Sequence, residues 1–485
     1  MFRTIGVWLL LLGVQSAAQD VSLLELTECR INAGPAFPGI KARCGTFVRP
    51  LDPTDPGPES LELNVAVVPA LSLEPESDPF VPIAGGPGQA SVSFYAAWAA
   101  AFERVRRDRD ILLLDQRGTG DSAAMTCDVD DEIIQGQYST EQTLRATREC
   151  LEALPFDPRF FTTSVAVTDL EALRAALGYG PLNLYGISYG SRVAQHFARR
   201  YPASTRTVIV DGVVPPQLAL GPEIATESQL ALDRVFDRCA DDPNCGPRFA
   251  TIRQDFLDLR QRLALLPVTI NMPNALTGRP EAVDFGSDQL GVAIRLLLYS
   301  SRTAALLPLL ISEAADGNYA PLAAQFQMAT ATLMDSISMG MHNAVVCTED
   351  TPFIVDANLD HDAIAASYLG PLQLEALQTI CSVWPAGPID DDFRVPLTTD
   401  IPFLLLSGDA DPITPPRYAS MAAVNLHNAR LLTGPNQGHG LAIVGCVPRL
   451  ISEFVAAMSL QDVDTTCVED SFAMPFFLDF SGPAP

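Results

Sequence analysis

Short apolar segments recur along the chain and predict β-strands. Alternating apolar residues predict a strand at residues 61–68. Short apolar runs of the kind found in buried parallel strands occur at residues 80–84, 111–114, 207–210 and 401–408. An apolar-alternating run at residues 182–187 and the segment 429–432 predict two further strands. Helical periodicity separates them, as at residues 164–177. The pattern predicts an α/β fold in which a mostly parallel sheet carries helices on both faces.

A long interruption divides this pattern into two parts. Residues 217–395 are mostly helical in pattern, and we interpret them as a cap inserted into the sheet domain. The predicted organisation is an N-terminal extension (19–58), a first part of the core (59–216), the cap (217–395) and a second part of the core with a C-terminal tail (396–485).

The first 18 residues have the features of a secretory signal peptide. Arg3 supplies the positive charge, residues 5–14 are apolar, and residues 16–18 are small, as a cleavage site requires. The apolar run is too short to span a bilayer. We expect an exported protein, either secreted or periplasmic.

The cysteine content agrees with export. An even number of cysteines in an exported chain suggests disulfides, and this chain has ten. The sequence does not fix their connectivity, but they fall into five neighbouring pairs: 29–44, 127–150, 239–245, 347–381 and 446–467. No Cys-x-x-Cys motif occurs, and no histidine has zinc-ligand spacing from a cysteine pair. We therefore predict no metal site and no cofactor.

The charge of the chain excludes two classes of partner. The formal net charge is −27, and Lys41 is the only lysine. Such a surface repels nucleic acid and anionic membranes, so we expect neither as a partner. The sequence carries no information on the oligomeric state.

One of the predicted strands leads into a motif with chemical meaning. Residues 186–190 read Gly-Ile-Ser-Tyr-Gly, between an apolar run and a helical pattern. Strand, tight turn and helix in this order are the setting of a nucleophile elbow. Gly186 and Gly190 avoid the clash of Cβ atoms at such a sharp bend. Ser188 is therefore the candidate nucleophile.

A serine nucleophile needs a base, and an acid that orients the base. Among five histidines, His439 lies in a glycine-flanked loop after the last predicted strand. Asp411 follows a buried strand and is the candidate acid. Asp409 and Asp211, which also follow strands, remain alternatives. The order of Ser188, Asp411 and His439 is that of a hydrolase with a doubly wound sheet.

Two backbone N–H groups are needed to stabilise the oxyanion. The residue after the nucleophile, Tyr189, supplies one of them in such sites. The second is expected from the glycine-rich loop at residues 85–88, where we favour Gly86, with Gly85 close behind.

Several of these motifs together resemble the proline iminopeptidase and tripeptidyl aminopeptidase family of α/β-hydrolases. His439 comes last in the chain, after the family-like segments 85–88, 115–120, 186–190 and 411–415. The cysteine-bearing segments 347–350 and 381–385 and the pair Cys446 and Cys467 make the secreted, tripeptidyl-aminopeptidase-like branch the closer match. Ala84 departs from proline iminopeptidases, in which a polar residue precedes the glycine-rich loop.

The resemblance implies an α/β-hydrolase with a helical cap that hydrolyses peptide bonds near a free N-terminus. Family members bind the α-ammonium group with acidic residues from the cap. Glu349 and Asp350 are the candidates here, and Glu223 and Glu227 are weaker ones. A carboxylesterase or lipase with the same triad is the alternative enzyme. A non-catalytic binding protein with this fold is the alternative outside enzymes.

Overall fold

The computed structural model describes residues 24–34, 38–127, 139–274 and 277–483. The predicted signal peptide, residues 1–18, lies outside these ranges. Within them, no helix combines the length and apolar character needed to cross a membrane.

The strands alternate with helices along most of the chain, as predicted. In chain order the strands are β1 (Thr27–Ile31), β2 (Ile40–Pro50), β3 (Ser60–Val68), β4 (Phe80–Ile83), β5 (Ile111–Leu114), β6 (Leu182–Ile187), β7 (Thr205–Asp211), β8 (Val268–Pro273), β9 (Pro280–Phe285), β10 (Phe403–Gly408), β11 (Ala429–Gly434), β12 (Phe477–Asp479) and β13 (Gly482–Pro483). The helices are α1 (Ser91–Phe102), α2 (Thr140–Ala153), α3 (Thr163–Ala176), α4 (Tyr189–Arg200), α5 (Ile224–Asp241), α6 (Cys245–Arg248), α7 (Ile252–Leu265), α8 (Ser287–Leu297), α9 (Ser301–Ala304), α10 (Leu307–Ala315), α11 (Ala320–Ser336), α12 (Met339–Glu349), α13 (His361–Ala366), α14 (Leu372–Cys381), α15 (Pro416–Ala423), α16 (Val447–Ala457) and α17 (Thr466–Glu469). Short 3₁₀ helices lie at Val105–Arg107, Pro158–Phe160, Pro202–Ser204, Thr351–Phe353 and Asp356–Asn358.

A nine-stranded sheet forms the centre of the core, in the order β1-β2-β3-β5-β4-β6-β7-β10-β11. The six strands β5, β4, β6, β7, β10 and β11, which are adjacent in this order, are parallel to one another. The three strands at the other edge, β1 to β3, pair in antiparallel fashion. The predicted mostly parallel sheet is therefore confirmed.

Helices cover both faces of this sheet. Leu182 and Leu184 of β6 pack in one apolar cluster with Phe197 of α4. The next residue, Tyr185, packs on the opposite face with Phe102 of α1. Because successive side chains of a strand point to opposite faces, a strand that is apolar at every position has to be covered twice.

The N-terminal extension contributes two strands that the sequence pattern did not predict. β1 and β2 extend the sheet beyond β3, and a disulfide between Cys29 and Cys44 links them. β2 lies near the sheet edge and exposes several charged residues, among them Lys41 and Arg43. Its apolar alternation is therefore too weak to predict a strand.

The cap is mainly helical, as predicted, and has an apolar core of its own. Phe236 of α5, Phe256 of α7 and Leu310 of α10 are buried in that core. The hairpin β8–β9 also belongs to this region and was not predicted. Phe476 from the C-terminal tail is buried in the same cluster. The tail therefore returns from the core to the cap.

All ten cysteines form disulfides in the pairs that the sequence suggests. None is free within the described residues. The bonds join 29–44, 127–150, 239–245, 347–381 and 446–467. Each joins neighbouring segments, and the bond between Cys347 and Cys381 fastens α12 to α14.

Candidate active site

The turn between β6 and α4 has the geometry of a nucleophile elbow. Ser188 has φ 56° and ψ −128°, a strained conformation for a residue with a side chain. A Cβ atom on Gly186 would lie 2.1 Å from the carbonyl oxygen of Gly190. A Cβ atom on Gly190 would lie 2.4 Å from the carbonyl oxygen of Ala84. Both positions therefore require glycine, and Ser188 is held at the tip of the bend.

His439 and Asp411 form a hydrogen-bonded pair. The Nδ1 atom of His439 lies 2.8 Å from Oδ2 of Asp411. The other carboxylate oxygen accepts the backbone N–H groups of Ile413 and Thr414, both at 2.9 Å. The hydroxyl of Thr414 donates to Oδ2 at 2.6 Å. These bonds fix the carboxylate, and Nε2 is the ring nitrogen left for proton transfer.

Within this pair, each group shifts the pKa of the other. Burial by itself would lower the pKa of His439, but the charge of Asp411 reverses this and raises the pKa above its usual value. Burial would raise the pKa of Asp411, whereas the charge of His439 and the hydrogen bonds from His439 and Thr414 lower it. The arrangement favours a charged Asp411 beside an imidazole that readily accepts a proton.

The two alternative acids have other partners. Asp409 accepts the backbone N–H of Asn436 at 2.6 Å and supports the turn there. Asp211 accepts the hydroxyl of Tyr185 at 2.9 Å and backbone N–H groups from Leu441 and Ala442. Among the hydrogen bonds of the described residues, the only carboxylate that contacts His439 is that of Asp411.

The glycine-rich loop lies directly beside the nucleophile. A Cβ atom on Gly85 would lie 2.9 Å from the Cβ atom of Ser188. Gly86 has φ 105°, which favours glycine. Tyr189 is the first residue of α4, so its N–H has no acceptor within the helix. The structure thus brings the two predicted sources of N–H groups to either side of Ser188.

These groups share one cavity between the core, the cap and the tail. Its volume is about 1170 Å³, and Gly85, Gly86, Ser188 and His439 are part of its lining. Three methionines of the cap line it as well: Met328, Met334 and Met339. The nearby Met341 is buried in the core instead. Residues 472–475 of the tail complete the lining.

Comparison with known proteins agrees with this geometry. A family model described as the α/β hydrolase fold matches residues 78–236, and one described as TAP-like protein matches residues 366–467. The chain belongs to the α/β-hydrolases. Its C-terminal part belongs to the TAP-like proteins.

Relatives of this hydrolase include named peptidases. Serine protease Hip1 of Mycobacterium tuberculosis is 26% identical over 90% of this chain and 88% of its own. The tripeptidyl aminopeptidase of Streptomyces coelicolor is 27% identical over 36% of this chain and 35% of its own. The crystal structure of a proline iminopeptidase of Mycobacterium smegmatis covers 85% of this chain and 97% of its own, at 14% identity and a TM-score of 0.37. The chain is a serine hydrolase.

The structure does not bring Glu349 and Asp350 to the cavity of the hydrolase. Both are almost fully buried, with relative exposures of 0% and 1%. Asp350 accepts a hydrogen bond from Arg192 at 2.9 Å. Glu349 accepts the backbone N–H and the hydroxyl of Thr163 and lies 3.9 Å from Arg192. Burial raises the pKa of Glu349 to about 7, although Arg192 opposes this. Both carboxylates therefore bind other residues of the protein interior, Asp350 binding Arg192 and Glu349 binding Thr163.

The weaker candidates lie elsewhere as well. Glu223 and Glu227 form ion pairs with Arg417 on the surface, at 2.7 and 2.6 Å. None of the four predicted acidic residues is part of the cavity lining. In the described part of the chain, no three metal-ligating side chains come together as a metal site would require.

Two residues of the cavity lining, Tyr299 and His342, were not predicted from the sequence. Tyr299 of the cap accepts the backbone N–H of His439 at 2.8 Å, and its ring meets the imidazole edge to face, with centroids 5.3 Å apart. His342 of α12 donates from Nδ1 to the carbonyl oxygen of Pro87 at 3.1 Å and so supports the glycine-rich loop. No motif marks either residue, because both contacts cross from the cap to the core.

Proposed function

We propose that the chain is an exported serine exopeptidase that hydrolyses peptide bonds near a free N-terminus. One observation carries the proposal. His439, held 2.8 Å from Asp411, lines the same cavity as Ser188 and the Gly85–Gly86 turn. Acyl transfer by a serine hydrolase needs a serine nucleophile and a base, and an acid has to orient the base. The cavity contains the serine and the base, and the buried acid holds the base.

The proposed mechanism proceeds through an acyl-enzyme. His439 takes the proton of Ser188 as the hydroxyl attacks the scissile carbonyl, and Asp411 stabilises the imidazolium. The N–H groups of Tyr189 and Gly86 stabilise the oxyanion. The protonated His439 then delivers its proton to the leaving amine. Water, activated by the same imidazole, hydrolyses the ester at Ser188 and completes the cycle.

The lining of the site supports action on a chain end. Residues of the cap and the tail line the cavity together with the core, so a short peptide end can contact all three parts, whereas the middle of a folded chain fits less readily. The names of the relatives, serine protease and tripeptidyl aminopeptidase, support a peptide substrate. Among the described lining residues, the α-ammonium group meets neutral acceptors such as the side-chain oxygens of Gln89 and Gln325.

Export is part of this proposal. Five disulfides are typical of a protein that works outside the cytoplasm, where thiols are oxidised. A purified extracellular or periplasmic protein that still begins at Met1 would contradict the cleavage of residues 1–18.

Peptide anilides with a free or an acetylated N-terminus test the exopeptidase mode. We expect acetylation to lower kcat/KM at least about tenfold, because it enlarges the N-terminal end of the substrate and removes the charged donor that would bind neutral acceptors such as Gln89 and Gln325. The matching p-nitrophenyl esters control for intact acyl transfer. Equal rates on free and acetylated anilides would contradict the exopeptidase mode. Turnover of the esters alone would instead favour the esterase.

A further inference from the structure

The cavity has the opposite charge from the rest of the chain. The sequence holds 58 acidic residues against 31 lysines and arginines. The described lining nevertheless contains no aspartate or glutamate, and its charged residues are Arg295 and Arg302, besides the histidines His342 and His439. A negative group on a substrate therefore finds one half-buried guanidinium group here, that of Arg295, whereas Arg302 is exposed and a positive group finds no carboxylate.

Arg295 lacks the partners that most buried arginines of this chain have. It belongs to α8, is half-buried, and forms no ion pair with any described residue. Its Nε atom is buried without a hydrogen-bond acceptor. Its single hydrogen bond, from Nη2 to the hydroxyl of Tyr299, is long at 3.4 Å. A guanidinium group has five N–H donors, so most of its capacity is unused. By contrast, Arg117 is bound by both oxygens of Asp169.

Arg295 also lies close to the reacting groups. Tyr299, its one partner, packs edge to face against His439 and accepts the backbone N–H of that residue. Arg295 also lines the same cavity as Gly85 and Gly86 of the glycine-rich loop. A ligand bound by Arg295 thus lies in the cavity that holds Ser188 and His439.

We propose that Arg295 determines specificity by binding a carboxylate of the peptide substrate. The planar guanidinium group suits a carboxylate, which it can bind through two parallel hydrogen bonds. An acidic side chain or a free C-terminus of a short peptide can supply this group. The inference rests on the proposed peptidase function and adds a substrate class to it: short peptides that carry a negative charge near the scissile bond.

Two sets of peptides distinguish the sources of the carboxylate. In the first set, glutamate and glutamine are compared at each position of a tetrapeptide amide with a free N-terminus. In the second, an uncharged tetrapeptide is compared with a free and an amidated C-terminus. For the wild type we expect kcat/KM to favour the carboxylate about 10- to 100-fold in one set, the effect of a charge-assisted hydrogen bond.

The Arg295→Met variant should reduce this preference to within about twofold, and Arg295→Lys should retain part of it. Arg302→Met is the matched control, because it removes the same charge from an exposed position of the same lining. We expect it to keep the preference within about threefold, since exposed charges are screened. A wild type that hydrolyses the peptides without any carboxylate preference would overturn the inference. So would a preference that survives in a folded Arg295→Met protein.

A second measurement separates this inference from the proposed function. Succinate should slow the labelling of Ser188 by a fluorophosphonate in the wild type but not in Arg295→Met. If no peptide is hydrolysed, the peptidase proposal fails, and a succinate effect confined to proteins with Arg295 still supports the carboxylate site. Equal succinate effects in both proteins would overturn the carboxylate site.

Discussion

Replacing Asp411 by asparagine is expected to lower kcat about 10⁴-fold, the loss typical of a serine triad without its carboxylate. The asparagine side chain keeps the size of the acid but cannot stabilise the imidazolium of His439. The matched control is Asp409→Asn, two residues earlier, which affects the turn at Asn436 and a partly exposed ion pair with Arg234. We expect this control to stay within about threefold of the wild type. Steady-state kinetics on an activated ester provide the measurement.

The pH profile of the same variant gives an independent readout. In the proposed mechanism the neutral form of His439 is the base, so kcat/KM should fall as the pH drops below the pKa of this residue. Asp411 raises that pKa above its usual value despite burial, and the acidic limb of the wild type should be displaced upward accordingly. In Asp411→Asn, burial remains as the largest effect and lowers the pKa, as does Arg295, whereas the charge of Asp211 opposes them. The limb should therefore move to lower pH. A large loss at Asp409 instead, or an unmoved limb, would contradict the assignment.

Replacing Arg192 by methionine is expected to reduce the free energy of unfolding by about 3–5 kcal/mol. The side chain is buried on α4, where it hydrogen-bonds to Asp350 and lies near Glu349. Its removal leaves the buried Asp350 without its guanidinium partner and takes a nearby positive charge from Glu349, so that Arg394 is the positive charge that remains beside them. Urea denaturation followed by circular dichroism measures the loss.

Two further variants serve as a control and as a rescue for this measurement. Arg417→Met breaks surface ion pairs to Glu223 and Glu227, so it should change stability by less than about 1 kcal/mol. Arg192→Met combined with Asp350→Asn should recover part of the loss, because one of the uncompensated charges is gone. An unchanged stability in Arg192→Met would mean that Glu349 and Asp350 do not depend on it. The two carboxylates would then again be candidates for binding the substrate.

Much of the core could be predicted because its signals are local. β6 and β10 are apolar at nearly every position, since both of their faces are covered. The elbow follows β6 directly, and the contact that requires glycine at Gly186 is with Gly190, four residues away. The loops that carry Asp411 and His439 follow the strands β10 and β11 in the same way. Strand ends at one edge of a parallel sheet converge, so chain order alone suggests that these residues meet.

The remaining features depend on partners that are distant in sequence. Glu349 and Asp350 lie at the C-terminal end of a helix of the cap, where the sequence suggests exposed acids, but their partner Arg192 lies 158 residues before Asp350. Tyr299 carries no motif, although it contacts the loop of His439. The packing of Phe476 in the apolar core of the cap could not be predicted either, because an apolar residue in a tail does not identify the surface that it covers.

Labelling by a fluorophosphonate, followed by peptide mapping, tests the central claim most directly. A strained elbow serine next to an oriented histidine should react once per chain, and the modified peptide should carry the label on Ser188. The label should disappear in Ser188→Ala while the protein remains folded. Labelling that persists in Ser188→Ala, or a label found on another serine of the wild type, would contradict the assignment of Ser188 as the nucleophile.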